Sequence, residues 1–152
     1  MILQAPDTIN GRLGKVTAEI DGRQIELMEL SNITATVDKN KTEFKTIGTL
    51  NTQNKASGWT GSGSATVRYI SSRWAKLMER YARDYVDTYF TIVIENNDPG
   101  SRAGMQRVQL DGCNFDSIDI AKLDIDNEIL EQDVNFTFSN FTILDEFNDI
   151  NY

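Results

Sequence analysis

The chain has 152 residues, enough for one domain with a buried core and too few for two comfortable ones. Apolar residues make up 39% and charged residues 25%, with only two prolines, which excludes collagen-like and low-complexity classes. The net charge of −8 argues against a surface built to neutralise phosphates, because nucleic-acid binders cluster Lys and Arg and the basic residues here are dispersed.

The lone cysteine and the first residues indicate a protein made and used in solution. Cys113 has no partner for an intrachain disulfide and fits a small core residue in a reducing compartment. No apolar run approaches the roughly 20 residues that a membrane span needs, so no membrane anchoring is expected. Residues 1–14 are predicted to form an extended arm whose Ile2, Leu3 and Ile9 need a partner.

A hairpin is predicted directly after this arm. Apolar residues alternate over 15–20, Asp21-Gly22 favours a type I′ turn, and a return run follows. The alternation changes phase and resumes with Ile33, which predicts a bulge near Ser31. Residues 39–57 are poor in apolar side chains and are predicted to form a long, partly mobile assembly loop.

A long two-faced strand is predicted from Trp59 to Tyr69. Small and apolar residues, including Gly61 and Gly63, share one face and would let another layer approach closely. Hydroxyl side chains occupy the other face, which suits water better than a core. A plain amphipathic edge strand is the alternative interpretation of this pattern.

One helix is predicted over residues 72–84. Ser71 or Ser72 is expected to cap it. A single apolar stripe recurs at spacings of three and four and should pack as helix core. Its members are Trp74, Leu77, Met78 and Tyr81.

Further strands follow from Tyr89 to the C-terminus, with Gly112 predicted to mark a bulge within a strand continuing to Ile120. The pattern as a whole predicts a single α+β domain, mainly β, over residues 1–152. Its strands are expected to form an antiparallel sandwich or partial barrel with one flanking helix.

The sequence lacks the common catalytic and cofactor motifs. The absence of histidine removes the commonest general base and every Ser-His or Cys-His arrangement. The run 58–63 lacks the lysine of a phosphate-binding loop. Residues 124–128 superficially resemble a calcium loop, yet Ile129 stands where that loop requires Gly. We therefore expect no enzymatic activity, no metal and no cofactor.

Several segments together resemble the tail tube proteins of contractile phages and phage-like particles, the family typified by the PBSX defective prophage tube. The resemblance covers nearly the whole chain, and the block from Leu110 to Phe138 weighs most. The segments that carry it are Lys45-Thr46-Ile47-Gly48, residues 58–63, Thr88-Tyr89-Phe90-Thr91, Asn97-Asp98-Pro99, residues 110–124, Glu131 and residues 134–138.

The resemblance implies a structural subunit whose sandwiches join into a β-lined ring, with hexameric rings stacking into a tube that has a central channel for DNA or for membrane puncturing. The implied partners are other copies, the tail sheath, the baseplate or initiator, and the tail terminator, with DNA only as passing cargo. Assembly would take place in the host bacterial cytoplasm, before incorporation into a virion, prophage particle or R-type bacteriocin.

Two sets of residues acquire expected roles from this resemblance. The polar faces of two predicted strands would face the lumen through Thr34, Thr36, Thr60, Ser62, Ser64 and Thr66. Apolar residues in the arm and in the 39–57 segment would contact adjacent rings or subunits, namely Ile2, Leu3, Ile9, Phe44, Ile47 and Leu50.

Two other functions remain open at this stage. A stand-alone β-sandwich binding module, such as an adhesin or carbohydrate-binding domain, fits the composition and should stay monomeric when concentrated. A hydrolase using paired acids such as Asp116 and Asp119 would lose its activity when either acid is neutralised.

Overall fold

The computed structural model describes residues 2–149 and shows a mainly β fold with one α-helix and one short 3-10 helix in that range. The elements in chain order are the 3-10 helix (Ala5–Asp7), β1 (Gly14–Ile20), β2 (Arg23–Glu26), β3 (Leu30–Lys45), β4 (Thr52–Arg68), α1 (Arg73–Asp84), β5 (Phe90–Asn97), β6 (Met105–Ser117), β7 (Glu131–Phe138) and β8 (Asn140–Asp145). The helix is too short and too polar to cross a membrane, and the described residues contain no other candidate for a span.

All strand pairings are antiparallel, and the strands follow the order β2-β1-β5-β6-β7-β4-β3, with β8 also paired to β6. The path starts at β2 and ends at β3 without joining them, so the sheet is not closed. The predicted mainly β, antiparallel class with a flanking helix is confirmed.

Strand β6 belongs to both layers of the fold. Up to Cys113 it pairs with β5 and β8, and from Asn114 it pairs with β7. Gly112, with φ +66°, lies at the change of partner, where the register with β5 also slips. A bulge bends a strand and increases its twist, which lets β6 pass from one layer to the other. The predicted bulge at Gly112 is confirmed, although the strand ends at Ser117 and not at Ile120.

The core lies between the two layers and is centred on aromatic side chains. Trp74 of α1 contacts Phe90 and Phe115, with ring centroids 5.9 and 5.0 Å apart, and Phe115 meets Phe136 of β7. Aromatic pairs in these tilted and edge-on geometries add to the free energy of burial. One helix and three strands from both layers are thereby joined in a single cluster.

Cys113 is buried at the point where β6 changes layer. Its thiol donates to the carbonyl of Leu110, with 3.4 Å between sulfur and oxygen. Burial raises the pKa of Cys113 to about 12, and the nearby charge of Asp111 adds to the rise while a backbone hydrogen bond at Ile92 opposes it. The expectation of a small core residue agrees with this placement.

The hairpin turn predicted at Asp21-Gly22 is confirmed. Both residues have positive φ angles, 51° and 79°, as a type I′ turn requires. The bulge predicted near Ser31 is also confirmed, because the register of β3 with β4 shifts between Leu30 and Asn32.

The two glycines of β4 allow the close approach that the strand pattern predicts. Gly61 and Gly63 stand directly opposite Phe138 and Phe136 of β7, and each phenyl ring lies across its glycine. A methyl group on Gly61 would come within 2.5 Å of the Phe138 ring, and one on Gly63 would overlap the Phe136 ring. Both rings therefore reach the core only because these positions carry no side chain.

The prediction of a loop over residues 39–57 is wrong. Strands β3 and β4 stay paired through this segment from Lys39↔Trp59 to Lys45↔Thr52, with a register shift between Asn40 and Lys41 and only a short turn after Lys45. Its residues are all exposed, so neither face needs apolar side chains and no period-two pattern marks the strands. Backbone pairing, with no packed face, forms this part of the hairpin.

The N-terminal arm is docked over most of its described length. Asp7 is buried and forms an ion pair with Arg102, with 2.8 Å between Oδ1 and Nε. The carbonyl of Pro6 accepts from the Arg102 backbone N–H, and Asp98 accepts from the backbone of Asn10. The arm is therefore held against the β5–β6 connection, and Met1 lies outside the described residues.

The four residues predicted as helix core have different environments. Trp74 is buried and Leu77 packs against the core, whereas Tyr81 is 49% exposed. Met78 and Tyr81 line an open groove between α1 and the strand ends near Phe115. The core role predicted for Tyr81 is therefore wrong, because its side chain borders this open groove and stays half exposed.

We predict that Trp74→Ala lowers the free energy of unfolding by about 3–5 kcal/mol, the usual cost of removing a buried aromatic ring. Trp74→Phe should cost only about 1–2 kcal/mol, since the indole N–H has no hydrogen-bond partner within residues 2–149 and its loss leaves no acceptor unpaired. Urea denaturation followed by circular dichroism measures both. Equal costs for the two variants would contradict the packing described here.

We predict that Gly63→Ala destabilises the fold by roughly 1–3 kcal/mol, because the new methyl group would displace the Phe136 ring. Gly11→Ala is the matched control, since nothing lies within 4 Å of its Cβ position. The control should be neutral or slightly stabilising. Equal thermal unfolding temperatures for the two variants would show that the Phe136 ring does not need the space above Gly63.

Candidate functional site

A polar face three strands wide covers the outer side of β3, β4 and β7. Its cross-strand rows align Thr34 with Ser64 and Asn135, and Thr36 with Ser62 and Thr137. We use "polar face" for the residues Asn32, Thr34, Thr36, Asp38, Thr60, Ser62, Ser64, Thr66, Asp133, Asn135 and Thr137. All six residues predicted to face a lumen lie on it.

The chemistry of the polar face is that of a hydrated, weakly binding surface. Asp38 and Asp133 are its charged members, the adjoining row of the same sheet face pairs Arg68 with Glu131, and Thr66 donates a 2.7 Å hydrogen bond to Asp133. Short hydroxyl and amide side chains hold water but offer no cation to an anionic ligand. Such a face repels phosphates and lacks a cluster that would grip them.

Strand β3 forms a long free edge beside this polar face. It has 16 residues and pairs with β4 on one side only within the described chain. The opposite side carries unpaired N–H and C=O groups, which are a template for pairing with another chain. Soluble monomers usually keep such edges short or covered, so this edge is a candidate assembly surface.

An open trough separates β3 from β1 and the β2–β3 connection, where the sheet fails to close. Apolar residues that are only partly buried lie along it, among them Val16, Leu30, Ile33 and Ile94. On the other side of the sandwich, Trp59 packs against Phe138 at the end of β7 and Phe141 at the start of β8, with centroids 6.3 and 5.7 Å apart. The trough and the aromatic cluster around Trp59 both leave apolar surface that a neighbouring molecule could contact.

The residues predicted to contact adjacent rings are mostly exposed. Ile47 and Leu50 lie in the turn of the β3–β4 hairpin and are 102% and 104% exposed, and Phe44 is also exposed. In the arm, Ile2 and Leu3 are exposed and Ile9 is half-buried. The structure brings Phe44, Ile47 and Leu50 to the far end of the hairpin, well away from the arm in the strand order.

Sequence reasoning missed the segment 118–130 as a candidate surface. Leu123 and Ile125 are 91% and 95% exposed, and Ile120 and Ile129 also face solvent. The segment lies against the residue that follows β4, because the Tyr69 hydroxyl donates to the Ile120 carbonyl at 2.8 Å. The sequence did offer one signal for such a surface, because four large apolar residues stand in this segment without the spacing of a helix or a strand that would bury them.

Local hydrogen bonds engage the acidic residues of the 118–130 segment. Asp124 accepts from the backbone of Asp126 and from the side chain of Asn127, so its carboxylate closes its own turn. The backbone N–H of Asp119 donates a hydrogen bond to the side-chain oxygen of Gln132. Within residues 2–149 no group of three acidic or cysteine side chains is placed to hold a metal ion. These contacts place Asp124 in a local acidic turn.

Comparison with known proteins assigns the chain to a family. The profile described as "Phage tail tube protein" matches residues 1–145. The phage-like element PBSX protein XkdM of Bacillus subtilis strain 168 is 38% identical over 149 residues, which cover 98% of this chain and 99% of XkdM.

Solved structures of contractile particles share the fold. A chain of the anti-feeding prophage baseplate superposes with a TM-score of 0.67 at 13% identity, covering 95% of this chain and 97% of that one. A chain of an extracellular contractile injection system, in the PVC sheath-tube complex in its extended state, gives 0.61 at 9% identity, covering 90% of each. The family match, the PBSX relative and this fold agree, and the chain belongs to the phage tail tube protein family, as a structural component of a phage-type tail.

Proposed function

We propose that this chain is the non-enzymatic subunit of the inner tube of a contractile tail, and that six copies form a ring whose stacking produces a tube with a central channel. The observation that carries the proposal is the 16-residue β3 edge beside a polar face. A closed ring gives that edge a partner and gives the polar face an enclosed, wet space.

Ring closure accounts for the open form of the sheet. The strand path ends at β2 and β3, and β8 is a third edge. Pairing β3 with an edge of the next copy would satisfy its free backbone groups and extend one sheet into the next. The apolar residues around the trough and around Trp59 would be covered in the same step. Closure removes the edges that would otherwise promote aggregation.

The polar face is assigned to the lumen in this proposal. Thr34, Thr36, Thr60, Ser62, Ser64 and Thr66 would line the channel together with their β7 neighbours. Acidic and hydroxyl groups would let DNA pass without adhering. Protein cations bind DNA by displacing the counterions around its phosphates, and these groups carry no positive charge. The same surface would serve a particle that carries no DNA.

Sixfold symmetry and the partners are supported by the relatives. The matching anti-feeding prophage baseplate was solved with sixfold symmetrisation, and other matches come from a tube-terminating cap and a sheath-tube complex. By analogy, this subunit would contact a sheath outside, a baseplate or initiator at one end and a terminator at the other. Assembly would take place in the bacterial cytoplasm before the subunit joins a virion or phage-like particle.

We expect the purified protein to form hollow rods or rings of uniform diameter as its concentration rises. Negative-stain electron microscopy and sedimentation measure this directly. A species that stays monomeric, even when its baseplate initiator is supplied, would contradict the tube proposal and support a stand-alone binding module.

We expect Ser64→Cys, labelled with biotin-maleimide before assembly, to bind streptavidin as a monomer and to lose that binding in assembled rods. The polar face would then be enclosed in the channel. Glu79→Cys on the exposed face of α1 is the matched control and should bind in both states. Native Cys113 is buried with a raised pKa and should remain unlabelled. Streptavidin binding to Ser64→Cys along whole rods would place the polar face outside.

A further inference from the structure

Two surfaces at opposite ends of the β3–β4–β7 sheet have complementary chemistry. We call residues 39–57 the outer hairpin and residues 118–130 the acidic loop. The outer hairpin lies beyond the last pairing of β4 with β7, which is Gly61↔Phe138. The acidic loop lies at the other end of β4, where the backbone N–H of Tyr69 donates to the Leu130 carbonyl at 2.8 Å.

Charge differs in sign between these ends in a chain of net charge −8. The outer hairpin has four lysines and one glutamate, for a net charge of +3. The acidic loop has four acidic residues and one lysine, for a net charge of −3. Lys122, its single cation, donates to the Glu131 carbonyl and is turned back onto its own chain. Every lysine of the outer hairpin and every acid of the acidic loop is exposed.

Apolar residues accompany the charges at both ends. Ile47 and Leu50 form the turn of the outer hairpin, and Leu123 and Ile125 extend from the acidic loop. Each pair is more than nine-tenths exposed in the single chain. Burying one pair against the other would remove both from water, while the surrounding charges select the orientation.

We propose that the outer hairpin of one copy docks onto the acidic loop of the next copy along the stack. The two surfaces stand at opposite ends of the 17-residue strand β4, roughly 50 Å apart at about 3.3 Å per residue. Each copy therefore offers one basic end and one acidic end. A contact between unlike ends of identical copies is heterologous and extends without limit unless it closes. This inference rests on the proposed tube function and names the surface that continues it from ring to ring.

The test is a charge exchange between two variants. Variant one is Lys41→Glu with Lys45→Glu, and variant two is Asp126→Lys with Glu128→Lys. Asp124 is left intact because its carboxylate closes its own turn. Each variant alone would present like charges at both ends, so we expect its critical concentration for rod formation to rise about tenfold. An equimolar mixture should form rods near the wild-type concentration, because unlike ends meet again between the two variants.

Controls separate this contact from charge in general. Lys76→Glu with Arg83→Glu makes the same charge change as variant one, on the exposed side of α1, and should leave assembly unchanged. Raising the salt concentration should weaken wild-type stacking and should narrow the difference between wild type and each variant. Circular dichroism and thermal unfolding check that every variant folds.

Each outcome decides one question. Rescue in the mixture supports docking between the outer hairpin and the acidic loop. Wild-type rods with no rescue in the mixture, or with no defect in either variant alone, would overturn the docking inference and leave the tube function standing. A wild-type protein that forms no rods would overturn the tube function, and the docking inference with it.

Discussion

The pairing of β4 with β7 is the constraint on which the rest of the structure depends. Only the half of β4 from Gly61 onward is paired with β7, and there the phenyl rings of Phe136 and Phe138 lie over glycines. These rings join the β3–β4 layer to the aromatic core. Among residues 2–149 the other half of β4 pairs with β3 alone, so the hairpin projects from the domain as a two-stranded ribbon held at one end. An isolated ribbon of this kind is at most marginally stable in water, so the neighbouring copy in the proposed tube would add to its structural support.

Sequence reasoning succeeded where a local rule decides the conformation. Asp21-Gly22 specifies its own turn, Gly112 supplies a positive φ, and the alternation around Gly61 and Gly63 identifies the inner face of β4. Each of these depends on a few consecutive residues. The fold class and the polar face followed from the same kind of local pattern.

It failed where distant residues decide the outcome. The ribbon over 39–57 has no buried face, so hydrophobic period gave no strand signal, and only backbone pairing forms it. The arm is held by Arg102, which lies 95 positions beyond Asp7. Tyr81 has helical spacing but borders an open groove between the helix and the strand ends. The exposure of Leu123 and Ile125 depends on the folded chain, and the residue types Leu and Ile do not predict it.

The buried thiol has a consequence for the durability of an assembly. A particle built from many identical subunits multiplies every reactive group by its copy number, and one accessible thiol per copy would permit random disulfide cross-links once the particle met oxidants. Only the thiolate reacts readily, and desolvation in the bend of β6 holds Cys113 in its protonated form. A tube of such subunits would age by loss of non-covalent contacts, and its rings would remain separable in air.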